Sequence, residues 1–358
     1  MKVGIIGLPS VGKSTLFQLL TGSPAPPPGA RPEPRLGVAR VPDPRVDRLA
    51  ELFQPKKTTC ATVEYADVPG VSAGGGGALV DLPALRGVDA LMHVVRAFDS
   101  DLVPHPEGSV DPGRDAQMLE LELILADLGA VERRLERLES AIKKTHKPED
   151  QAERELFLEL EQALEAERPL RALELTEEQR RRLRQYSFLS EKPLLLAVNL
   201  GEEQMRDPAA ALEAAGLAAL AARPRVALCP VAAPIEAEMA ELPPEDARAF
   251  REDLGLAEPG LDRILESSYR LLGLISFLTA GEDECRAWTI RRGTRAQRAA
   301  SVIHSDIERG FIRAEVVAFE DLVAAGTLAA CRERGTLRLE GRDYEVHDGD
   351  VINFRFNV

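Results

Sequence analysis

The sequence predicts an α/β protein: a doubly wound parallel sheet with an α-helical coiled-coil hairpin inserted in it, followed by a smaller mixed-sheet domain. Three observations predict this. Short β-branched runs alternate with helical patterns through the first half, as a parallel sheet covered by helices requires. The fourth and fifth runs are separated by far more chain than one crossover helix needs, and that interval carries a charged repeat with apolar residues at steps of three and four. Beyond Gly255 the pattern changes to short strand-like runs around one helix.

In chain order the candidate strands are Val3–Ile6, Leu36–Val41, Thr62–Ala66, Ala90–Val95, Leu194–Val198 and Val226–Val231. The insert begins near Asp115, and Leu128, Val131, Leu135, Leu138 and Ile142 mark the seam of a coiled coil. A turn at Lys143–Asp150 follows, and a second charged helix from Gln151 to Arg168 returns with Leu156, Leu160 and Ala163 facing the first. After a helix at Leu261–Leu272, the runs Ala287–Ile290, Ile312–Ala318, Thr336–Leu339, Tyr344–Val346 and Val351–Phe356, with a helix at Gln297–Ile303, describe a domain of about 85 residues. Asp348-Gly349-Asp350 suits a tight hairpin, because Gly accepts positive φ.

Bulk properties narrow the function. The chain has 358 residues, 44% of them hydrophobic and 29% charged, which is ordinary for a soluble globular protein. The Val3–Leu8 run is too short for a signal segment or a membrane span, and no stretch approaches about 20 apolar residues; a cytoplasmic protein is expected. Cys60, Cys229, Cys285 and Cys331 stand apart, without the paired spacing of a zinc site or a disulfide framework. A net charge of −14 repels nucleic acid if evenly spread, so RNA contact requires a local basic patch, and no DNA sequence readout is expected.

The most specific signal is Gly7-Leu8-Pro9-Ser10-Val11-Gly12-Lys13-Ser14, a complete G-x-x-x-x-G-K-[ST] between a strand and the helical Thr15–Leu20. Glycines let the backbone curl until its N–H groups converge on a phosphate, and the following helix N-terminus adds its dipole. Pro9 to Thr15 therefore form a candidate phosphate cradle. Lys13 brings a positive charge to the β- and γ-phosphates, where it also serves catalysis, and the Ser14 hydroxyl is a ligand for Mg2+. Asp67-Val68-Pro69-Gly70 follows a strand about 50 residues on, placing Asp67 near the metal and the Gly70 N–H near the γ-phosphate. This is the pattern of a P-loop NTPase of the GTPase type.

Guanine readers usually end their fifth strand with Asn-Lys-x-Asp. Here the strand Leu194–Val198 runs into Asn199-Leu200-Gly201-Glu202, with no lysine and with Glu at the Asp position. A site built on hydrogen bonds loses discrimination steeply when one is lost, so weak guanine preference and ATP as substrate are expected.

With these residues in view, the chain resembles the YchF subfamily of Obg-like ATPases. The supporting segments include Gly4-Ile5-Ile6-Gly7-Leu8-Pro9, Val41-Pro42-Asp43-Pro44-Arg45, Phe188-Leu189, Arg286-Ala287-Trp288-Thr289-Ile290, Gly310-Phe311-Ile312-Arg313-Ala314-Glu315 and Phe354-Arg355-Phe356-Asn357-Val358. The resemblance implies a discontinuous nucleotide domain at 1–115 and 188–272, a coiled-coil insertion at 116–187, and a β-grasp (TGS) domain at 273–358. It implies an ATP-preferring hydrolase that associates with ribosomes and is linked to stress and redox responses. It also implies that Asn199 and Glu202 flank adenine, that the backbone at Leu200 contacts the ring, and that Ala232 and Ala233 form a further nucleotide loop.

Ras-like enzymes place a water-orienting Gln after D-x-x-G. This chain has Val71, which cannot hydrogen-bond to water. The family uses a histidine in the loop after the fourth strand, which by position from Phe98 is His105. Arg31 stands where the family has a metal-binding Thr, and the second switch is contracted to Ser72-Ala73-Gly74-Gly75-Gly76-Gly77. Slow basal turnover is therefore expected, with a binding module of vestigial hydrolysis and a GTP-preferring enzyme as alternatives; D-x-x-G disfavours a small-molecule kinase.

A partner surface is suggested by charge. Between Arg286 and Arg313 seven arginines face two carboxylates, a net +5 in an acidic protein. Guanidinium groups match phosphate in fork geometry, so ribosomal RNA is the expected partner here, with Arg180–Arg182 and Lys143–Lys147 of the arm as further contacts. Trp288 lies among these arginines and is expected in the core.

Overall fold

The computed structural model describes residues 1–25, 33–68, 80–256 and 258–357. Arg31, Gly70, Val71 and the glycine run that ends at Gly77 lie outside the described residues. The chain divides into two units, Met1–Gly37 with Glu64–Ser267, and Val38–Val63 with Ser268–Val358.

Of the strands β1 (Lys2–Ile6), β2 (Arg35–Arg40), β3 (Lys57–Thr59), β4 (Thr62–Asp67), β5 (Ala90–Arg96), β6 (Leu194–Asn199) and β7 (Val226–Val231), all but β3 join one sheet, in the order β2-β4-β1-β5-β6-β7. The pairs β1–β4, β1–β5, β5–β6 and β6–β7 are parallel. Strands β5 and β6 are buried at every position, the continuous apolar pattern that follows when both faces of a parallel sheet are covered. Helix α1 (Lys13–Thr21) leaves β1 through the glycine loop, α2 (Pro44–Phe53) and the short α3 (Leu82–Leu85) come next, and then the insert opens.

The insert is the expected antiparallel pair, α4 (Pro112–Thr145) and α5 (Pro148–Glu165). Asp111 caps α4 by accepting from the Arg114 N–H, and a proline stands at the start of both helices, where a missing N–H costs nothing. Val131, Leu135, Leu138, Leu156, Leu160 and Ala163 fill the seam, with Leu128 partly buried beside it. Near the sheet the arm is held by polar groups. Asp127 on α4 is fully buried and accepts from Leu189 N at 2.9 Å, Ser190 N at 2.7 Å and Ser190 Oγ at 2.7 Å. Buried Arg171 donates to Glu120 Oε2 of α4 at 2.5 Å and to Ser190 O at 3.1 Å.

The second unit contains β8 (Leu274–Thr279), β9 (Glu284–Arg291), β10 (Phe311–Ala318), β11 (Arg338–Glu340) and β12 (Asp350–Phe356), in the order β11-β10-β12-β8-β9-β3. Ile275, Phe277, Ile290, Phe311, Val316, Ile352 and Phe354 pack one face against Ala296, Ala299 and Ala300 of the following helix. Trp288 packs against this core and donates Nε1 to Thr279 Oγ1 at 2.9 Å. Three details depart from expectation. Strand β8 was hidden because Leu274–Thr279 continues the apolar pattern of the helix before it. Tyr344–Val346 forms no strand, only an isolated bridge from Glu345 to Arg295. Gly349 does adopt φ 84°, but the turn opens no hairpin: β12 pairs antiparallel with β10.

Segment 38–63 belongs to this second unit. β3 lies parallel to β9, and α2 packs on β9. Arg45 donates to Asp43 and, through Nη1, to Asp348 Oδ2 at 2.9 Å, while Asp348 Oδ1 accepts from Ser276 N at 2.8 Å. No described helix is long and apolar enough to cross a membrane.

Candidate nucleotide-binding site

The carboxyl ends of five strands deliver the site. The glycine loop follows β1, Asp67 ends β4, Arg96 ends β5, Asn199 ends β6, and Ala232 follows β7. Ligands of open α/β sheets bind at this edge, because the helix N-termini and loop amides converge there.

The loop curls as its glycines permit. Gly7 has φ 146° and Gly12 φ 102°. A Cβ on Gly7 would stand 2.4 Å from Val94 O, and one on Gly12 2.5 Å from Asn199 Nδ2, so any side chain would push the loop off its neighbours. Lys13 folds back over the curve, its Nζ donating to Gly7 O at 2.9 Å and Leu8 O at 2.6 Å. Burial pushes its pKa down to about 8, against the pull of the Asp67 carboxylate. His93 of β5 is neutral: burial, helped by the nearby Lys13 charge, pushes its pKa down to about 3.

Ser14 Oγ donates to Asp67 Oδ2 at 3.1 Å, which brings two hard oxygen donors together beside the lysine. No cluster of three or more His, Cys, Asp or Glu suited to a metal exists among the described residues. That donor set fits Mg2+, which is commonly held by one or two protein oxygens together with phosphate and water.

Asn199 ties the site together. Its Nδ2 donates to Val11 O at 3.0 Å, and its Oδ1 accepts from Ala233 N at 3.0 Å, so one buried amide joins the glycine loop to the loop after β7. The Leu200 side chain is fully buried in the core and its N–H donates to Val231 O at 2.8 Å. Glu202 is exposed. Pro9, Ser10, Val11, Gly12, Lys13, Ser14, Thr15, Asp67, Asn199, Leu200, Ala232 and Ala233 thus gather at one sheet edge.

His105 is engaged elsewhere. Its Nδ1 accepts from Glu107 N at 3.2 Å, and its Nε2 lies 3.0 Å from Asp115 Oδ2 on α4, with both side chains almost wholly buried.

Two residues escaped sequence reasoning. Arg96 is buried, donates Nε to Phe98 O at 3.0 Å and stacks over the Phe98 ring at 4.5 Å. Gln204 braces the base loop, accepting from Gly201 N at 2.7 Å and donating to Ala97 O at 2.9 Å. An arginine closing an apolar strand was a usable signal for the first; nothing local marks the second.

In the second unit the basic stretch is less open than its composition suggests. Arg295 pairs with Asp343 at 2.6 Å, Arg298 with Glu308 at 3.2 Å, and Arg309 with Asp306. Arg286 lies over the Trp288 ring at 3.9 Å. Asp343 lies outside the Arg286–Arg313 stretch, and tertiary folding brings it in.

Comparison with known proteins gives consistent matches. A family profile described as a 50S ribosome-binding GTPase matches residues 2–128, and a YchF GTPase C-terminal profile, described as a protein of unknown function (DUF933), matches residues 274–357. The chain is 45% identical over 365 residues to a ribosome-binding ATPase YchF of Bacillus subtilis, covering 100% of each. It is 40% identical over 364 residues to one of Escherichia coli O157:H7, covering 100% of this chain and 99% of the other. The solved YchF GTPase of Schizosaccharomyces pombe superposes with a TM-score of 0.88 at 32% identity, covering 99% of this chain and 97% of that one.

Proposed function

The chain belongs to the YchF family of P-loop nucleotide hydrolases, and from that premise we propose that it is a slow, Mg2+-dependent ATPase that works on the ribosome. The observation that carries this reading is the glycine loop with Lys13 folded over it and Ser14 against Asp67. Lys13 exchanges two carbonyl partners for the β- and γ-phosphate oxygens when a nucleotide enters. Ser14 and Asp67 would hold Mg2+, which would neutralise phosphate charge when bound. The Gly70 N–H is assigned to the γ-phosphate, from its place in D-x-x-G alone.

Preference for adenine is supported by the base loop. Because the Leu200 N–H is committed to Val231 O, the residue offers a base only its carbonyl. An acceptor there matches the amino group of adenine and opposes the O6 of guanine. Glu202, exposed beside it, carries one methylene more than the Asp with which guanine is usually read. Titrating the purified protein with labelled ATP and GTP tests this directly. ATP is expected to bind at least about tenfold more tightly, the weight of a single hydrogen bond gained against one opposed; equal affinity, or tighter GTP, overturns the assignment.

His105 is assigned as the group that orients the attacking water, in place of the missing Gln. Its support is its position in the loop after β5 and the chemistry of imidazole at neutral pH. The division into a nucleotide domain, a helical arm and a TGS-like domain is kept as the working description, with ribosomal RNA assigned to the arginine-rich face of the last. A cytoplasmic location and a part in stress or translation control belong to the same reading.

A further inference from the structure

His105 cannot meet water where it lies, since only 3% of its side chain is exposed. Its tautomer follows from its partners. Nδ1 accepts from the Glu107 N–H, so in the neutral ring the proton sits on Nε2, which faces Asp115 Oδ2 at 3.0 Å. Asp115 is equally buried, at 2%, and is fixed from its other side. Arg114 donates Nε and Nη2 to Asp115 Oδ1 at 2.9 and 2.7 Å, and its own Nη1 and Nη2 are tied to Ser109 Oγ and Ser109 O. The carboxylate is thus a rigid fixture of the first turn of α4, while the imidazole stands in the loop before it.

The contact is close but out of line: neither His105 Nε2 nor Asp115 Oδ2 makes a well-aligned hydrogen bond among the described residues. Two buried polar atoms left in this condition hold each other by charge more than by directed bonding, and each gains if it finds a better partner. Such a contact restrains a loop without locking it.

We propose that Asp115 is a positioning residue that keeps His105 withdrawn, so that the slow basal turnover of this enzyme has a defined cause in the His105–Asp115 pair. This rests on the assignment of His105 as the water-orienting group. Hydrolysis then requires the imidazole to leave Asp115 and free a ring nitrogen for the water. A partner that engages this loop accelerates the enzyme by the same release.

The test is single-turnover ATP hydrolysis by Asp115→Asn, His105→Ala and the double variant, with ATP affinity measured for each. Asn keeps the size and one acceptor of Asp but removes the carboxylate charge that holds the ring, so hydrolysis should rise about fivefold at unchanged ATP affinity. The double variant should fall back to the rate of His105→Ala, which a merely structural role for Asp115 does not predict. In the wild type the ring-nitrogen NMR signals of His105 should show a protonated Nε2 shielded from solvent exchange, and the shielding should be lost in Asp115→Asn. If Asp115→Asn is no faster than wild type while His105→Ala is slower, the restraint is refuted and the catalytic assignment stands. If His105→Ala hydrolyses ATP at the wild-type rate, the catalytic assignment falls and takes the restraint with it.

Discussion

Lys13 carries a cost to the fold. Its ordinary pKa of 10.5 falls to about 8 because burial penalises the ammonium. Between those values the unfolded chain binds more protons than the folded one, so stability rises with pH from 8 toward 10.5, and below pH 8 the whole penalty is present. The shift corresponds to roughly 3 kcal/mol. Lys13→Met should therefore stabilise the nucleotide-free protein by about 1–3 kcal/mol at pH 7 while removing most of its ATP affinity. Urea unfolding at pH 7 and pH 9.5 checks both sign and slope: the advantage of the variant should shrink at the higher pH, and a variant less stable at pH 7 would contradict the account. This part of the site was legible in the sequence because its chemistry is local. The glycine loop holds its glycines, lysine and hydroxyl within eight consecutive residues, and Asn199 announces itself by ending an apolar strand. Gln204 and the His105–Asp115 pair were not legible, since their meaning lies in which neighbours folding brings to them.

At the scale of elements, the helical arm shows what periodicity can and cannot say. The seam from Leu128 to Leu138 was readable from its three-and-four spacing, because a two-helix contact repeats along the chain. The attachment of the arm does not repeat. Asp127 looks like one more charged residue on a charged helix, yet it is the buried acceptor for two backbone N–H groups and a hydroxyl of Leu189 and Ser190. Burial raises its pKa, and those same donors pull it down. Asp127→Ala would leave three buried donors without their acceptor, and a loss of about 3 kcal/mol is expected. Chemical denaturation measures it; a change under about 1 kcal/mol would mean that water replaces the carboxylate. Arg171, buried against Glu120 in the same region, adds a second polar tie at the root of the arm.

For the whole molecule, composition gave the right direction and the wrong strength. The run of arginines after Arg286 is basic in sequence, but Asp343, Glu308 and Asp306 answer Arg295, Arg298 and Arg309 in the folded unit. Surface pairs of this kind are worth little individually and exchange readily for phosphate. Reversing Arg291 and Arg292 to glutamate should weaken co-sedimentation with ribosomes, most clearly at low salt, and leave ATP binding intact; unchanged co-sedimentation would move the contact elsewhere. The presence of a second sheet was legible, because the hydrophobic period changes after Gly255. Its membership was not. A three-residue strand such as β3 carries no periodic signal of its own, and its partner β9 lies more than two hundred residues further along.

That distant pairing decides where the protein can be cut. A fragment starting at Ser268 would keep five strands yet expose the edge of β9 that β3 covers and strip α2 from its face. It would also leave Asp348 without Arg45. An open strand edge beside bared apolar surface invites self-association. Anyone isolating the C-terminal sheet should graft residues 38–63 onto it, since the piece that finishes this sheet lies more than two hundred residues earlier in the chain than its partner strand.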